Sequence, residues 1–194
     1  FSPREPPSGV PTAEDWGHAF ERYRVGGDHQ VPAQLVTEAH ALYDDLCASQ
    51  TNRRLLHGDL QHSNILFDQT RGWIAIDPKG VIGEPELEVG PFLRNPPHAI
   101  TYFNNLAVIE RRLQILCPEA GLRYERALRW GFALAVLSAI WCVEDDGVVA
   151  GRSILRIEKG RIAAPGPDAG DIAHLQHFGG ICAPGQRVGV DAPV

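Results

Sequence analysis

Methionine is missing from all 194 positions and the first residue is Phe1, so the chain is expected to be a piece of a longer translation product. Cysteine is scarce. Cys47, Cys117, Cys142 and Cys182 lie far apart with no C-x-x-C pair, which removes the usual zinc and dithiol signatures and leaves reduced thiols as the expectation. There is no Lys/Arg block, and the formal net charge is -6. That balance argues against nucleic acid or an anionic membrane as partner and suits a small cationic one. No apolar run reads as a membrane-spanning segment, and FSPREPPSG lacks the basic start and apolar core of a signal peptide. A cytoplasmic protein is expected.

What the chain does have is 44% apolar residues, enough for one sizeable core without disulfides or metal. Thr12 followed by Asp15 reads as a helix start, with Trp16, Phe20 and Tyr23 at helical spacing up to the Gly26-Gly27 stop. A second helix follows Pro32, striped by Leu35, Ala39, Leu42, Tyr43 and Leu46. Two long helices come later, one marked by Tyr102, Leu106, Ile109, Leu113 and Leu116, the other by Leu128, Phe132, Ala135, Ala139 and Val143. The last is apolar nearly all round and should be central, with Trp130 and Trp141 in the core. Gly and Pro punctuate residues 78–97, which predicts a loop with one helical turn near Leu87 to Leu93. Beyond Gly147 the pattern predicts a small hairpin in SILRIEKGRI, turning at Lys159-Gly160, and then a Gly/Pro-rich tail. His174 and His177 in that tail do not make a metal site. Two units result, residues 1–147 and 148–194.

Between the helical halves the period changes to that of strands. Ile65-Leu66-Phe67 and Trp73-Ile74-Ala75-Ile76 flank a polar loop, the pattern of a β-hairpin. With the loop taken as Gln69 to Gly72, Asp68 faces Trp73 and counting back sets Asn64 opposite Asp77. An amide oxygen and a carboxylate are hard ligands of the kind Mg²⁺ accepts. Ahead of the first strand stands His57-Gly58-Asp59, with Asp59 and Asn64 at the D-x-x-x-x-N spacing of a kinase catalytic loop. Phosphoryl transfer needs a carboxylate beside the acceptor oxygen and a metal that offsets phosphate charge.

On these residues the chain resembles a known family. HGDLQHSNIL is similar to the HGDLHxxNIL signature of aminoglycoside phosphotransferases, and AIDPKGVIGEPELEVGPFLRNP and SAIWCVEDDG resemble the streptomycin 6-kinase and hydroxyurea phosphotransferase branch. The resemblance, from Trp16 to Gly147, implies an α+β fold: the mainly helical C-terminal lobe of a protein-kinase-like structure, with the hairpin carrying catalytic and metal residues. It implies ATP as donor, Asp59 as catalytic base, His57 bracing the loop, and Mg²⁺ on Asn64 and Asp77. It also places Glu88 where relatives carry a loop-anchoring aspartate, and offers Glu144, Asp145 and Asp146 to a cationic substrate.

Departures from the pattern set further expectations. No Gly-rich phosphate loop, strand lysine or helix glutamate precedes Asp59, so the chain alone is not expected to turn over. A truncated remnant that binds substrate without catalysis is a second reading. In a third, His57, Asp59 and His62 hold zinc at a hydrolytic site; the matching hairpin favours phosphoryl transfer over it. Lys79 is read as a solvated loop charge.

Overall fold

The computed structural model describes residues 8–26, 30–94 and 106–146, together with the backbone of two short strands at 156–158 and 161–163. Helix α1, Ala13–Gly26, starts on the reciprocal cap expected from the sequence: Asp15 N donates to Thr12 Oγ1 at 3.2 Å, and Thr12 N donates to Asp15 Oδ2 at 2.7 Å. Helix α2, Ala33–Ala48, buries Val36, Ala39, Tyr43 and Leu46, while Leu35 and Leu42 lie at the edge of that stripe. The two helices are joined by the Tyr43 hydroxyl, which donates to the Ala13 carbonyl at 2.6 Å.

After α2 the chain forms β1, Arg54–Leu56, a 3-10 turn over His62–Asn64, then β2, Ile65–Asp68, β3, Gly72–Ala75, and β4, Val81–Gly83. A second 3-10 turn, Pro85–Glu88, leads into α3, Val89–Arg94. Helix α4 runs Leu106–Ala120 and helix α5 runs Tyr124–Asp146. Strands β5, Arg156–Glu158, and β6, Arg161–Ala163, pair antiparallel with Glu158 opposite Arg161, as the predicted hairpin requires. Tyr102 of the expected α4 stripe, Cys182, His174, His177 and the rest of the tail lie outside the described residues. The architecture is α+β: a helical body with, among the described residues, three two-stranded antiparallel sheets.

Helix α5 is central, as its all-round apolar surface predicts. Trp130 is fully buried and meets Tyr43 edge-on at 5.2 Å, and Trp141 meets Trp16 edge-on at 5.3 Å. A smaller cluster of Val89, Leu93, Ile109, Leu113 and Leu128 joins α3 and α4 to the first turns of α5. By length and composition alone, Tyr124–Asp145 would suffice to cross a membrane, which corrects the expectation that no run does. Most of that stretch is buried in this core, so its apolarity has a packing explanation. Cys47, Cys117 and Cys142 are free thiols, and burial pushes Cys47 up to about 12.

Strands β1 and β4 were not expected, because three residues each carry no visible alternation. They matter for position. Leu56 pairs with Val81 at the end of this ladder, and just beyond it Gly80 N donates to the His57 carbonyl at 3.0 Å. The chain from His57 to Gly80 is therefore closed at its base, with β2 and β3 as a second ladder inside it.

Beneath β4 lies a charge network that the sequence reading missed. Glu84, fully buried, accepts from Arg126 Nε, from Trp130 Nε1 and, at 2.9 Å, from Arg123 Nη2. Glu86 accepts from Arg123 Nε at 2.7 Å, and Arg126 Nη2 continues to the Leu46 carbonyl at 2.8 Å. The end of β4 is thereby tied to both α2 and α5.

Candidate active site

The hairpin pairs one residue out of the predicted register. Asp68 faces Gly72, and Phe67, Leu66 and Ile65 face Trp73, Ile74 and Ala75. The cause is the Asp68 side chain: Oδ1 accepts from Thr70 N at 2.9 Å, from Thr70 Oγ1 at 2.6 Å and from Arg71 N at 2.8 Å. This side-chain turn shortens the connection to Gln69–Arg71, and Gly72 closes it at φ +75. Asn64 therefore stands opposite Ile76, whose N–H donates to the Asn64 carbonyl at 2.9 Å, and not opposite Asp77. Asp77 lies one residue beyond, exposed, in the left-handed region at φ +58.

The polar ends nevertheless converge. Asn64 Nδ2 donates to the Asp59 carbonyl at 2.9 Å and lies 3.5 Å from Asp59 Oδ2, with both residues buried. The amide nitrogen is thus committed to the loop, which turns the amide oxygen away from it. His57 Nε2 donates to the Ile76 carbonyl at 2.9 Å, while Nδ1 accepts from Asp59 N at 3.3 Å. This imidazole braces the loop with both nitrogens. Asp77 is flanked on one side by Ile76, bonded to His57 and Asn64, and on the other by Lys79, whose Nζ is 3.5 Å from Asp59 Oδ2. Lys79 is exposed, as a solvated loop charge would be, and the ion pair with Asp59 is a contact the sequence reading did not anticipate.

Glu88 reaches the same loop from the second 3-10 turn, its Oε1 accepting from Gly58 N at 2.7 Å. Its Oε2 is buried with no hydrogen-bond partner among the described residues. Burial pushes this carboxyl up, against the opposing pull of the Gly58 N–H. Gly58 itself has φ +78, and a Cβ there would sit 3.0 Å from Trp16 Cη2 and 3.2 Å from Val81 Cγ1. Gly58→Ala is expected to cost about 2–4 kcal/mol through backbone strain and overpacking. Denaturant unfolding checks this, and a cost under about 1 kcal/mol would show that the loop relaxes.

Residues 2–147 match the family model described as Aminoglycoside/hydroxyurea antibiotic resistance kinase. The chain belongs to this family. A streptomycin 3''-kinase of Klebsiella pneumoniae is 33% identical over 144 residues, covering 72% of this chain and 52% of the relative. A hydroxyurea phosphotransferase of Kitasatospora aureofaciens is 36% identical over 101 residues, 52% of this chain and 28% of that protein. A streptomycin 6-kinase of Streptomyces glaucescens is 32% identical over 93 residues, 47% of this chain and 30% of that protein. The chain spans about half the length, or less, of these curated relatives. No solved structure matches it.

As a member of this kinase family, the chain brings Asp59, His57, Asn64 and Glu88 into one bonded loop, with Lys79 added and Asp77 at its edge. The helix-end acidic residues close α5. Glu144 is engaged by Arg22, whose Nε and Nη2 each donate at 3.1 Å, so its carboxylate ties α5 to α1. Asp145 is exposed, and the side chain of Asp146 lies outside the described set. His62 stacks on Phe92 at 5.1 Å, and among the described residues no group of three His, Cys, Asp or Glu could hold a metal ion. Lys79 carried a weak signal: it lies two residues past Asp77, in the segment that resembles the family.

Proposed function

We propose that this chain is the catalytic part of the C-terminal lobe, protein-kinase-like in fold, of an enzyme that moves the γ-phosphoryl group of ATP to a hydroxyl of a small cationic antibiotic or of hydroxyurea. The observation that carries the reading is the Asp59–Asn64 unit, two buried residues five apart in which the Asn64 amide donates to the Asp59 backbone carbonyl at 2.9 Å and lies 3.5 Å from its carboxylate, in a chain of this kinase family. Asp59 would accept the proton of the attacked hydroxyl. Glu88 and His57 hold its loop in place.

The donor set fits Mg²⁺, which favours hard oxygens: the Asn64 amide oxygen, with its nitrogen already committed, and the exposed Asp77 carboxylate would hold it. Bound there, the ion would offset phosphate charge. Zinc fits poorly, since both ring nitrogens of His57 are engaged and no group of three His, Cys, Asp or Glu among the described residues could hold it. We place the remaining nucleotide contacts in the additional length of the relatives, and the setting in the cytoplasm, where ATP is available. The net charge of -6 suits a cationic acceptor.

Calorimetric titration of the chain with streptomycin and with hydroxyurea, each with and without Mg·ATP, tests the acceptor side. Saturable binding of one acceptor is expected. Absence of binding by a chain whose circular dichroism shows an intact fold would contradict an acceptor site in these residues.

A further inference from the structure

We propose that Lys79 is a catalytic residue whose ammonium group contacts the transferring phosphoryl group at Asp59. The inference rests on the phosphotransfer reading above. Three donors converge on a single oxygen of Asp59: Gln61 Nε2 at 3.3 Å, Lys79 Nζ at 3.5 Å and Asn64 Nδ2 at 3.5 Å. A carboxylate so loaded on Oδ2 presents Oδ1 to an acceptor hydroxyl. A phosphoryl group attacked by a hydroxyl bonded to Asp59 would come within reach of the ammonium group paired with the same carboxylate.

The lysine is placed by the backbone and not by chance reach. Asp77 at φ +58 and Gly80 at φ +72 turn the chain sharply on either side of Pro78-Lys79, and Gly80 N is fixed to the His57 carbonyl at 3.0 Å. Asp59 is buried and the Lys79 side chain, in a residue exposed overall, is 29% exposed, so the pair lies at the border between protein and water. A cation held there strengthens as water leaves the site.

In the step itself the acceptor oxygen forms a bond to the γ-phosphorus and its proton passes to Asp59. The bond from that phosphorus to the bridging oxygen breaks, with the electron pair leaving on ADP. The charge on the equatorial oxygens is what the ammonium group meets. Lys79 gives up no proton and is unchanged at the end.

The test is steady-state kinetics of the full gene product with Mg·ATP and the acceptor it uses, comparing Lys79→Met and Lys79→Arg with wild type. Lys79→Met is expected to lower kcat about 100-fold. The acceptor KM and inhibition by Mg·ADP, which lacks the transferred group, should change little, and Lys79→Arg should recover part of the rate. A kcat within about threefold of wild type would overturn the inference while leaving phosphotransfer intact. So would equal losses in both variants accompanied by weaker Mg·ADP inhibition and a lower melting temperature, the signature of a structural ion pair. Wild type that transfers no phosphoryl group would remove the functional reading, and this inference with it.

Discussion

Glu84→Ala is expected to destabilise the protein by about 3–5 kcal/mol, the cost of breaking a buried ion pair and leaving its cation uncompensated. Arg126 Nε, on a side chain only 12% exposed, and Nε1 of the fully buried Trp130 would both lose their acceptor, and Arg126 would keep only neutral partners. Arg123 is half exposed and keeps Glu86, so it contributes less to the loss. The melting temperature should fall by roughly 10 °C for a chain of this size. Glu84→Gln, which retains an acceptor for Trp130 but not the charge, should fall between. A loss below about 1 kcal/mol in Glu84→Ala would mean that water or Glu86 takes over the arginines.

Asp59→Asn carries the other large effect. The substitution preserves size and leaves the backbone carbonyl that Asn64 bonds, so the loop should stand while the proposed proton acceptor is gone. Turnover of the full gene product should drop by about 10²–10⁴-fold, the range for loss of a positioned general base. Acceptor affinity should hold within a few-fold. A large loss of acceptor binding with turnover preserved would place Asp59 in recognition and not in proton transfer.

The helices were legible because their signals are local and periodic. The Thr12 cap and the stripes of α2 and α5 each lie within a few turns. The Asp59–Asn64 contact was legible for the same reason, since both residues belong to one loop. What escaped depends on side chains acting at a distance or on short ladders. The hairpin register turned on one carboxylate, Asp68, bonding its own turn, and a one-residue change displaced Asp77 from Asn64. The Glu84 network joins residues 39 and 42 positions apart, and GEPELE alone reads as a polar loop. The Lys79–Asp59 pair escaped because it depends on the closure of β1 on β4, which brings the Lys79 loop onto Asp59. The acidic helix end illustrates the converse, for Glu144 drew a functional reading by its charge and is occupied by Arg22.

The most direct measurement is transfer of labelled γ-phosphate from Mg·ATP to streptomycin and to hydroxyurea by the full gene product, run beside its Asp59→Asn form. Label on an acceptor hydroxyl with wild type, nearly abolished by Asp59→Asn, is the predicted result. Equal labelling by both forms would contradict Asp59 as the base, and no transfer to either acceptor by a folded wild-type protein would contradict the proposed function.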